Sequence, residues 1–548
     1  MPGSTTLIAA ACAAALACAP ALHRRLLLSR AKHPSLAGHP RIASWLARRL
    51  PGRRYDEERF FAAGEADAGT VERRRRALVE LAAVYAERFP RTLAATADAA
   101  PLLPDLQFTS AYRVPFQFAP VLRAHLRAGA FWSASEGDEL IDLDGNRFID
   151  LTGSYGVNVF GYDFYKSCID EGWERVRALG PVLGGYHPVV LDNARRLAAL
   201  SGLDQVSFHM SGTEAVMQAV RLARYHTGRR RIVRFCGAYH GWWGEVQPGP
   251  GNPTPVADTL TLREMHPRSL RALRSRHDVA CVLVNPLQAL HPNTPAPGDS
   301  SLLDSSRSAG VDREAYARWL GELRALCEER GIVLIFDEVF VGFRIAMGGA
   351  QEYFGIKADI VAWGKTLGGG LPVGVLCGRE SLMRRYRDDH PADICFARGT
   401  FNAHPAVMGA MNVFLERLDS PAIRACFEGV DERWNARATR MNRALAGAGL
   451  PLRVANLGSI WTVLFTEPSR YNWMLQYYLR AEGLALSWVG SGRLIFPIDM
   501  PEERFDIVVE RVIAAGRAMQ DGAWWRSRAG ESNRDIRRSV LRELLIAR

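Results

Sequence analysis

The sequence predicts an α/β protein in which helices cover both faces of a parallel or mixed β-sheet. Its 548 residues are too many for one small core, so two or more domains are expected. From about residue 205, short β-rich runs alternate with helical patterns, and this alternation is typical of such sheets. Because ligands bind at the carboxyl ends of the strands in these folds, the residues that follow each strand are the candidate site.

Six segments are predicted as strands because each is short, apolar and rich in β-formers. Helical patterns at Thr213–His226 and Arg313–Arg330 separate some of them. The predicted strands are Val206–Met210, Ile232–Cys236, Val279–Asn285, Ile332–Phe336, Asp359–Ala362 and Val373–Cys377.

The amino-terminal stretch Thr6–Leu22 is apolar, rich in Ala and of about the minimum length for a membrane span. Basic residues follow this stretch and none precedes it, which is unlike a secretory signal and predicts a cytoplasmic body. A weak membrane tether and a poorly ordered leader are both compatible with it. Residues 41–90 are predicted to form surface helices that lie on a partner or on anionic lipid.

The formal net charge of +11 is concentrated at the two chain ends. Residues 1–90 contribute +7 and residues 523–548 contribute +4, so the body between them is neutral. A neutral body argues against nucleic acid as a partner, because phosphate binding needs a clustered basic face. The C-terminal stretch is predicted to form a helix that lies on lipid or packs on the body or on the partner subunit, with one apolar face made of Ile536, Val540, Leu541, Leu544 and Leu545.

The nine Cys are scattered and form no C-x-x-C pair, so no metal site is predicted and the thiols are expected to be reduced in a cytosolic compartment.

A predicted strand runs into Ser211-Gly212-Thr213, and a helix follows at once. Free backbone N–H groups at a helix start bind anions, phosphate above all. A plain helix cap is the alternative at this position.

Asp337 and Glu338 end another predicted strand, and Lys365 lies between an apolar strand and three glycines. A nucleotide-binding loop is excluded there, because Asp359 stands where that motif needs Gly. Lys365 is one of only four lysines, and burial would lower its pKa and favour Schiff-base chemistry. The alternative is a solvated surface lysine. A phosphate site, a carboxylate and a buried lysine together indicate pyridoxal 5'-phosphate as the cofactor.

From about residue 110 to 520 the chain resembles the class III aminotransferases of pyridoxal-phosphate fold type I. Within that class it is similar to glutamate-1-semialdehyde aminomutases and to the aminotransferase domains of polyketide/peptide hybrid synthases. The resemblance implies a large domain with a mostly parallel sheet between helices, and a smaller α+β domain made from both chain ends. The segments that carry it are Asp144–Asp150, Ser211–Ala215, Tyr239–Gly241, Phe336–Val339, Gly364–Lys365 with its glycines, and Gly399–Phe401.

The resemblance also implies a role for each site residue. Lys365 would form the Schiff base with the cofactor and later move the proton, and Asp337 would pair with the pyridine nitrogen. The active form would be a homodimer, because one phosphate contact crosses between subunits. The remaining residues would bind the cofactor: Tyr239 and Val339 at the ring faces, Ser211, Gly212 and Thr213 at the phosphate, Thr400 at the phosphate of the neighbouring subunit, and His240, for which a core histidine is the alternative.

The predicted function is that of a freestanding transaminase with an amino acid donor. Its acceptor would be an oxo group or aldehyde on a carbon chain, either free or bound to a carrier protein. An aminomutase and a racemase of the same fold are the alternatives, whereas a scaffold with a dead site is excluded by Lys365 and Asp337. The chain departs from the family at Asn285, where relatives carry Glu, and in a polar loop at 293–312.

Five parts of the chain are predicted: a basic arm with the Ala-rich stretch at 1–95, the first part of the small domain at 96–165, the large domain at 166–425, the second part of the small domain at 426–522, and a basic amphipathic tail at 523–548.

Overall fold

The computed structural model describes residues 4–254, 256–291, 305–486, 492–528 and 530–546. Most of the predicted loop at 293–312 therefore lies outside the described residues. The strands within these ranges are β1 Trp132–Glu136, β2 Glu139–Asp142, β3 Arg147–Asp150, β4 Gln205–His209, β5 Arg231–Phe235, β6 Thr259–Leu262, β7 Val279–Val284, β8 Val333–Asp337, β9 Ile360–Gly364, β10 Gly374–Gly378, β11 Leu452–Leu457, β12 Ile460–Phe465, β13 Leu484–Ala485 and β14 Arg493–Ile495.

The α-helices of the described chain are α1 Ser4–Ala31, α2 Pro40–Ala47, α3 Glu57–Ala62, α4 Ala68–Arg88, α5 Pro90–Ala99, α6 Pro104–Tyr112, α7 Ala119–His125, α8 Tyr162–Val176, α9 Val189–Ser201, α10 Gly212–Thr227, α11 Pro267–Arg274, α12 Arg313–Arg330, α13 Gly349–Phe354, α14 Glu380–Met383, α15 Pro405–Leu418, α16 Pro421–Phe427, α17 Val430–Gly447, α18 Leu475–Ala481, α19 Glu502–Asp521 and α20 Asn533–Ile546.

A seven-stranded sheet forms the centre of the large domain, in the order β4-β10-β9-β8-β7-β5-β6. Its strands run parallel except for β10, which is antiparallel to both of its neighbours. The predicted fold class is thus confirmed, and each of the six predicted strands lies within two residues of an observed one. The edge strand β6 was missed because four alternating Thr and Leu residues are too short a pattern to stand out.

Both faces of this sheet are covered by helices, as the apolar character of its strands requires. Neighbouring residues point to opposite sides, so that Val284 belongs to one hydrophobic core and Leu283 to another. The same division separates Phe336 from Ile335 on the next strand. Continuous burial along β7, β8 and β9 leaves only the strand ends free for polar chemistry.

The second hydrophobic core joins the two ends of the chain. It contains Phe60 and Tyr85 from the amino-terminal helices and Tyr471, Trp473 and Trp524 from the C-terminal part. Two small sheets lie in this region, one in the order β1-β2-β3-β13 and the other in the order β11-β12-β14. Helices α3 and α4 are therefore packed on this core and do not lie free on the surface.

The C-terminal tail packs on the amino-terminal segment and is joined to the body by an ion pair of 2.9 Å between Glu543 and Arg470. Ile536 and Val540 are buried against Leu50, and both Trp524 and Trp525 are buried in the second core. Ile536 and Val540 of the predicted apolar face are thus packed within the chain, whereas Leu541 of the same face is 49% exposed, and the side chains of Leu544 and Leu545 lie outside the described residues. No helix in the described part of the chain is both long and apolar enough to cross a membrane.

Candidate active site

A cavity of about 450 Å³ opens at the carboxyl ends of β4, β7, β8 and β9. The strand order brings these ends together, although their residues are far apart in sequence. Every predicted site residue except Thr400 lines this cavity. These residues are Ser211, Gly212, Thr213, Tyr239, His240, Asp337, Val339 and Lys365.

Lys365 directly follows β9 and starts a tight turn with a φ of +51°. Its Nζ atom lies 4.3 Å from the centroid of the Phe340 ring. The pKa of Lys365 is lowered to about 7, chiefly by burial; the charge of Asp337 opposes this shift, and the charges of Arg493 and Arg344 contribute to it. A large fraction of this amine is therefore uncharged at neutral pH, which is the nucleophilic form.

Asp337 ends β8 and is almost completely buried. Its Oδ2 atom lies 2.8 Å from Nδ1 of His240, and its Oδ1 atom accepts a hydrogen bond of 3.2 Å from the backbone N–H of Val339. Burial holds the pKa of His240 below its ordinary value, so the ring is neutral and its Nδ1–H donates to the carboxylate. His240 is thus both buried and part of the cavity lining, and its hydrogen bond holds the Asp337 carboxylate in one orientation.

Helix α10 begins at the cavity with Ser211 as its cap, because the Ser211 hydroxyl accepts from the backbone N–H of Glu214 at 3.2 Å. The N–H groups of Gly212 and Thr213 lie in the first turn, where a helix has no carbonyl to pair with them. A Cβ at Gly212 would lie 2.5 Å from Val339, so only glycine lets the helix start approach the end of β8 so closely. The helix start can therefore bind an anion.

Tyr239 stands at the mouth of the cavity with 60% of its surface exposed. Its backbone carbonyl accepts a hydrogen bond of 2.9 Å from the side-chain amide of Asn285. Asn285 also caps the turn that follows β7, by accepting from the backbone N–H of Leu287 at 3.2 Å. Asn285 thus holds the Tyr239 segment in place.

Thr400 is exposed and does not line the cavity of its own chain. A Cβ on the preceding Gly399 would come within 2.7 Å of the Glu214 carboxylate, so this segment passes close to the first turn of α10. The Oδ1 atom of Asn402 and the Nδ1 atom of His404 are buried without a hydrogen-bond partner in the described chain. Polar groups beside Thr400 are thus left unsatisfied within one subunit.

Sequence reasoning missed Arg493, which comes from β14 in the second core region. Its guanidinium lies 5.9 Å from the centroid of the same Phe340 ring that Lys365 contacts. Its Nε atom is buried without a hydrogen-bond partner, and no ion pair to a described carboxylate is recorded for it. No local motif marks Arg493, because only the fold brings β14 next to Phe340, a residue that lines the cavity.

The fold and this site define the class of pyridoxal-phosphate-dependent enzymes with a central α/β sheet. A family model for class-III aminotransferases matches residues 123–515, and the chain belongs to that family. The glutamate-1-semialdehyde 2,1-aminomutase of Geotalea daltonii is 32% identical over 366 residues, covering 63% of this chain and 78% of the relative.

Solved structures of transaminases and aminomutases are also similar to this chain in fold. A transaminase with PLP bound has a TM-score of 0.64 and 27% identity, covering 79% of this chain and 99% of its own. A glutamate-1-semialdehyde aminomutase from Pseudomonas aeruginosa PAO1 shares the fold, with a TM-score of 0.65, 18% identity and coverage of 82% and 99%. The enzyme class expected from the sequence is thereby confirmed.

Proposed function

We propose that this enzyme is a transaminase that moves an amino group from an amino acid to an oxo or aldehyde carbon of a separate molecule. The observation that carries the proposal is the pair formed by Lys365 and Asp337 across one cavity. The lysine provides an amine that is largely uncharged at neutral pH, and the carboxylate is fixed by two hydrogen bonds.

The residues present fit pyridoxal phosphate. The cap of α10 offers backbone N–H groups for a phosphate, and Asp337 offers a carboxylate for a protonated ring nitrogen. Tyr239 and Val339 border the space in which a flat ring would lie. When bound, the cofactor supplies an aldehyde that captures amines and a ring that withdraws electrons from the neighbouring carbon.

The chain's own residues position this chemistry and move protons. Lys365 would hold the cofactor covalently and, once released, take and return a proton at its Nζ atom. Asp337 would keep the proton on the ring nitrogen, with His240 holding the carboxylate in place. Ser211 and Thr213 would anchor the phosphate at the helix start.

Arg493 would bind the carboxylate of the amino donor. Its guanidinium shares the Phe340 ring with Lys365 and is free of a described carboxylate partner. A planar guanidinium binds a carboxylate through two parallel hydrogen bonds and so fixes its orientation. A donor held by its carboxylate would place its amine toward Lys365, while an acceptor on an acyl chain or a carrier protein would enter through the open mouth beside Tyr239.

We also propose that the active form is a homodimer in which Thr400 contacts the phosphate of the neighbouring subunit. The exposed position of Thr400 and the unsatisfied polar atoms of Asn402 and His404 support this arrangement. A depression of about 780 Å³ nearby is lined by the exposed side chains of Tyr186 and Tyr386, and such exposed apolar surface is typical of a protein interface.

An aminomutase that shifts an amino group within one molecule is the second candidate, because relatives at 32% identity carry that name. The test is to incubate the holoenzyme with a panel of amino acids and to follow the cofactor's absorbance and the release of free oxo acid. A transaminase releases an oxo acid with at least one donor. Absence of release with every donor would favour the aminomutase.

The proposed location is the cytoplasm, with the amino-terminal stretch holding the enzyme at a membrane surface. The charge order supports it, because Arg24, Arg25, Arg30 and Lys32 follow the apolar segment. Fractionation of the full-length protein from its own cells is the direct test. Recovery entirely in the supernatant at low salt would contradict this location.

A further inference from the structure

A basic groove of about 780 Å³ lies between the amino-terminal helices and the edge of the main sheet. Helix α2 and the end of α1 form one wall, and strand β6 with the loop before it forms the other. No Asp or Glu of the described chain lines it. Its cationic side chains are Arg25, Lys32, Arg41, Arg48, Arg49 and Arg231.

Most of these charges are not neutralised within the chain. Arg231 pairs with Asp278 at 2.6 Å, and Arg49 stacks on Trp45 with 4.4 Å to the ring centroid. For the other four, no ion pair is recorded in the part of the chain that the structure describes. Several like charges that converge without a counter-charge create a positive potential, which attracts an anionic partner.

A second basic strip lies on the opposite flank of α1. His23 and Arg30 of α1 face Arg268, Arg271 and Arg274 of α11 across a shallow depression. In this strip only Arg274 has a recorded acidic partner among the described residues, Glu329 at 3.3 Å. The end of α1 is therefore bordered by cations on both sides.

Exposed apolar side chains share this surface. Leu22 of α1 is 59% exposed and Trp45 of α2 is 56% exposed, and Leu26, Leu36 and Ile42 are exposed near them. Arginine interleaved with Leu and Trp is typical of surfaces that lie in the headgroup region of a bilayer. A partner recognised through charge alone, such as nucleic acid, would leave these side chains in water.

The base of α1 is firmly attached to the large domain. Ala31 is completely buried, and its carbonyl accepts a hydrogen bond of 2.9 Å from the backbone N–H of Arg263. Leu27 and Leu28 pack against the main core. The basic groove and the C-terminal end of the Ala-rich segment are thus held in a fixed orientation relative to the catalytic body.

We propose that this surface seats the enzyme on an anionic bilayer, with phosphate headgroups in the groove between α2 and β6. The proposal rests on the proposed membrane location and adds to it the surface that makes the contact. The catalytic proposal does not depend on it, since none of these residues lines the active-site cavity.

The test uses the full-length holoenzyme and two kinds of vesicle, phosphatidylcholine alone and phosphatidylcholine with phosphatidylglycerol. The variant combines Arg41→Ala, Arg48→Ala and Arg49→Ala. Its matched control removes three exposed arginines from other helices, with Arg76→Ala, Arg443→Ala and Arg517→Ala. Transaminase turnover of both variants is measured to show that they remain folded.

We expect the wild type and the control to bind only the anionic vesicles, and more weakly as salt is raised. The groove variant should bind these vesicles about 100-fold more weakly, with unchanged turnover. Equal binding of the groove variant and the control would overturn the proposal, and would leave the Ala-rich segment as the membrane contact. Absence of vesicle binding, with groove-dependent binding to DNA or polyglutamate, would also overturn it.

Discussion

At the scale of single residues, the site depends on a balance of charges around one amine. Burial lowers the pKa of Lys365, the cations Arg493 and Arg344 act in the same direction, and Asp337 opposes them. The hydrogen bond from His240 keeps Asp337 in place. Changing Asp337 or Arg493 should therefore move the titration of Lys365 in a predictable direction.

The pKa of about 7 predicts how cofactor capture depends on pH. Lys365 is an ammonium below this pH and a neutral amine above it, so the rate at which apoenzyme captures added cofactor should rise from pH 6 to pH 8 and then level off. Asp337→Asn should lower the midpoint, because it removes an anion that favours the charged lysine. Arg493→Gln should raise the midpoint, and shifts of the same sign in both variants would contradict this account.

Covalent attachment should be confined to Lys365. Borohydride reduction followed by peptide mapping should label this residue, and Lys365→Ala should abolish both the label and turnover, the latter by about 10³-fold or more. Lys357→Ala is the matched control and should leave both intact, because Lys357 does not line the cavity. A label on Lys32, Lys166 or Lys357 would disprove the assignment.

Replacement of Asp337 tests the second group of the pair. Asp337→Ala should leave covalent attachment possible but slow proton removal from the bound substrate by roughly 10³-fold, because the ring nitrogen loses the charge that keeps it protonated. Single-turnover absorbance measurements follow this step directly. Glu338→Gln is a neighbouring control that lies outside the cavity lining, and near-normal turnover of Asp337→Ala would refute the role.

At the scale of elements, helices α10 and α4 are positioned in different ways. The start of α10 is fixed by residues of its own segment, because Ser211 caps the helix and Gly212 lets it approach Val339. Helix α4 is held by distant residues, since the buried guanidinium of Arg74 donates to the carbonyls of Phe61 at 2.8 Å and Arg526 at 2.8 Å. Arg74 thus links the amino-terminal segment to the C-terminal part of the chain.

Loss of that link should destabilise the protein. Arg74→Met keeps much of the side-chain volume but leaves buried carbonyls without donors, which should cost about 2–4 kcal/mol. Arg76→Met on the exposed side of the same helix should change stability by less than about 0.5 kcal/mol. Urea unfolding followed by tryptophan fluorescence compares the two. Equal midpoints would mean that α4 contributes little to the second core.

At the scale of the whole molecule, the two chain ends and the sheet edges determine what the catalytic body contacts. The amino-terminal segment and the tail complete the second core, whereas α1 extends from the edge of the large domain. The segment around Thr400 is exposed beside unsatisfied polar atoms. The proposed dimer would cover this region.

Cofactor retention should therefore depend on assembly. If Thr400 contacts the neighbouring subunit's phosphate, Thr400→Ala should weaken cofactor binding about tenfold, and dilution should release cofactor together with monomer. Thr439→Ala on an exposed helix is the control and should behave as the wild type. Light scattering with absorbance detection measures both quantities. A fully active monomer would rule out the shared phosphate contact.

The main sheet, several site residues and the family could be predicted from the sequence alone, because each depends on a short local pattern. Continuous apolar runs predicted six strands of the main sheet, because burial on both faces leaves no other pattern. Lys365 and Asp337 were identified because a charged residue at the end of such a run stands out. The Ser211 cap was identified because a predicted helix follows a predicted strand directly at that point. The family, the cofactor and the fold class follow from these segments and are confirmed.

The surroundings of Arg493, Arg74 and the C-terminal tail were decided only by the tertiary structure, because they depend on contacts between residues that are distant in sequence. Only the folded chain brings Arg493, from a separate small sheet, to the ring that Lys365 contacts. Only the second core shows that Arg74 is buried while its neighbours Arg73 and Arg75 are partly exposed. The tail pattern fitted either lipid or protein, since an amphipathic face does not specify what covers it. The packing of Ile536 and Val540 against Leu50 shows what covers this part of the face, because burial is a property of the folded chain and not of the pattern.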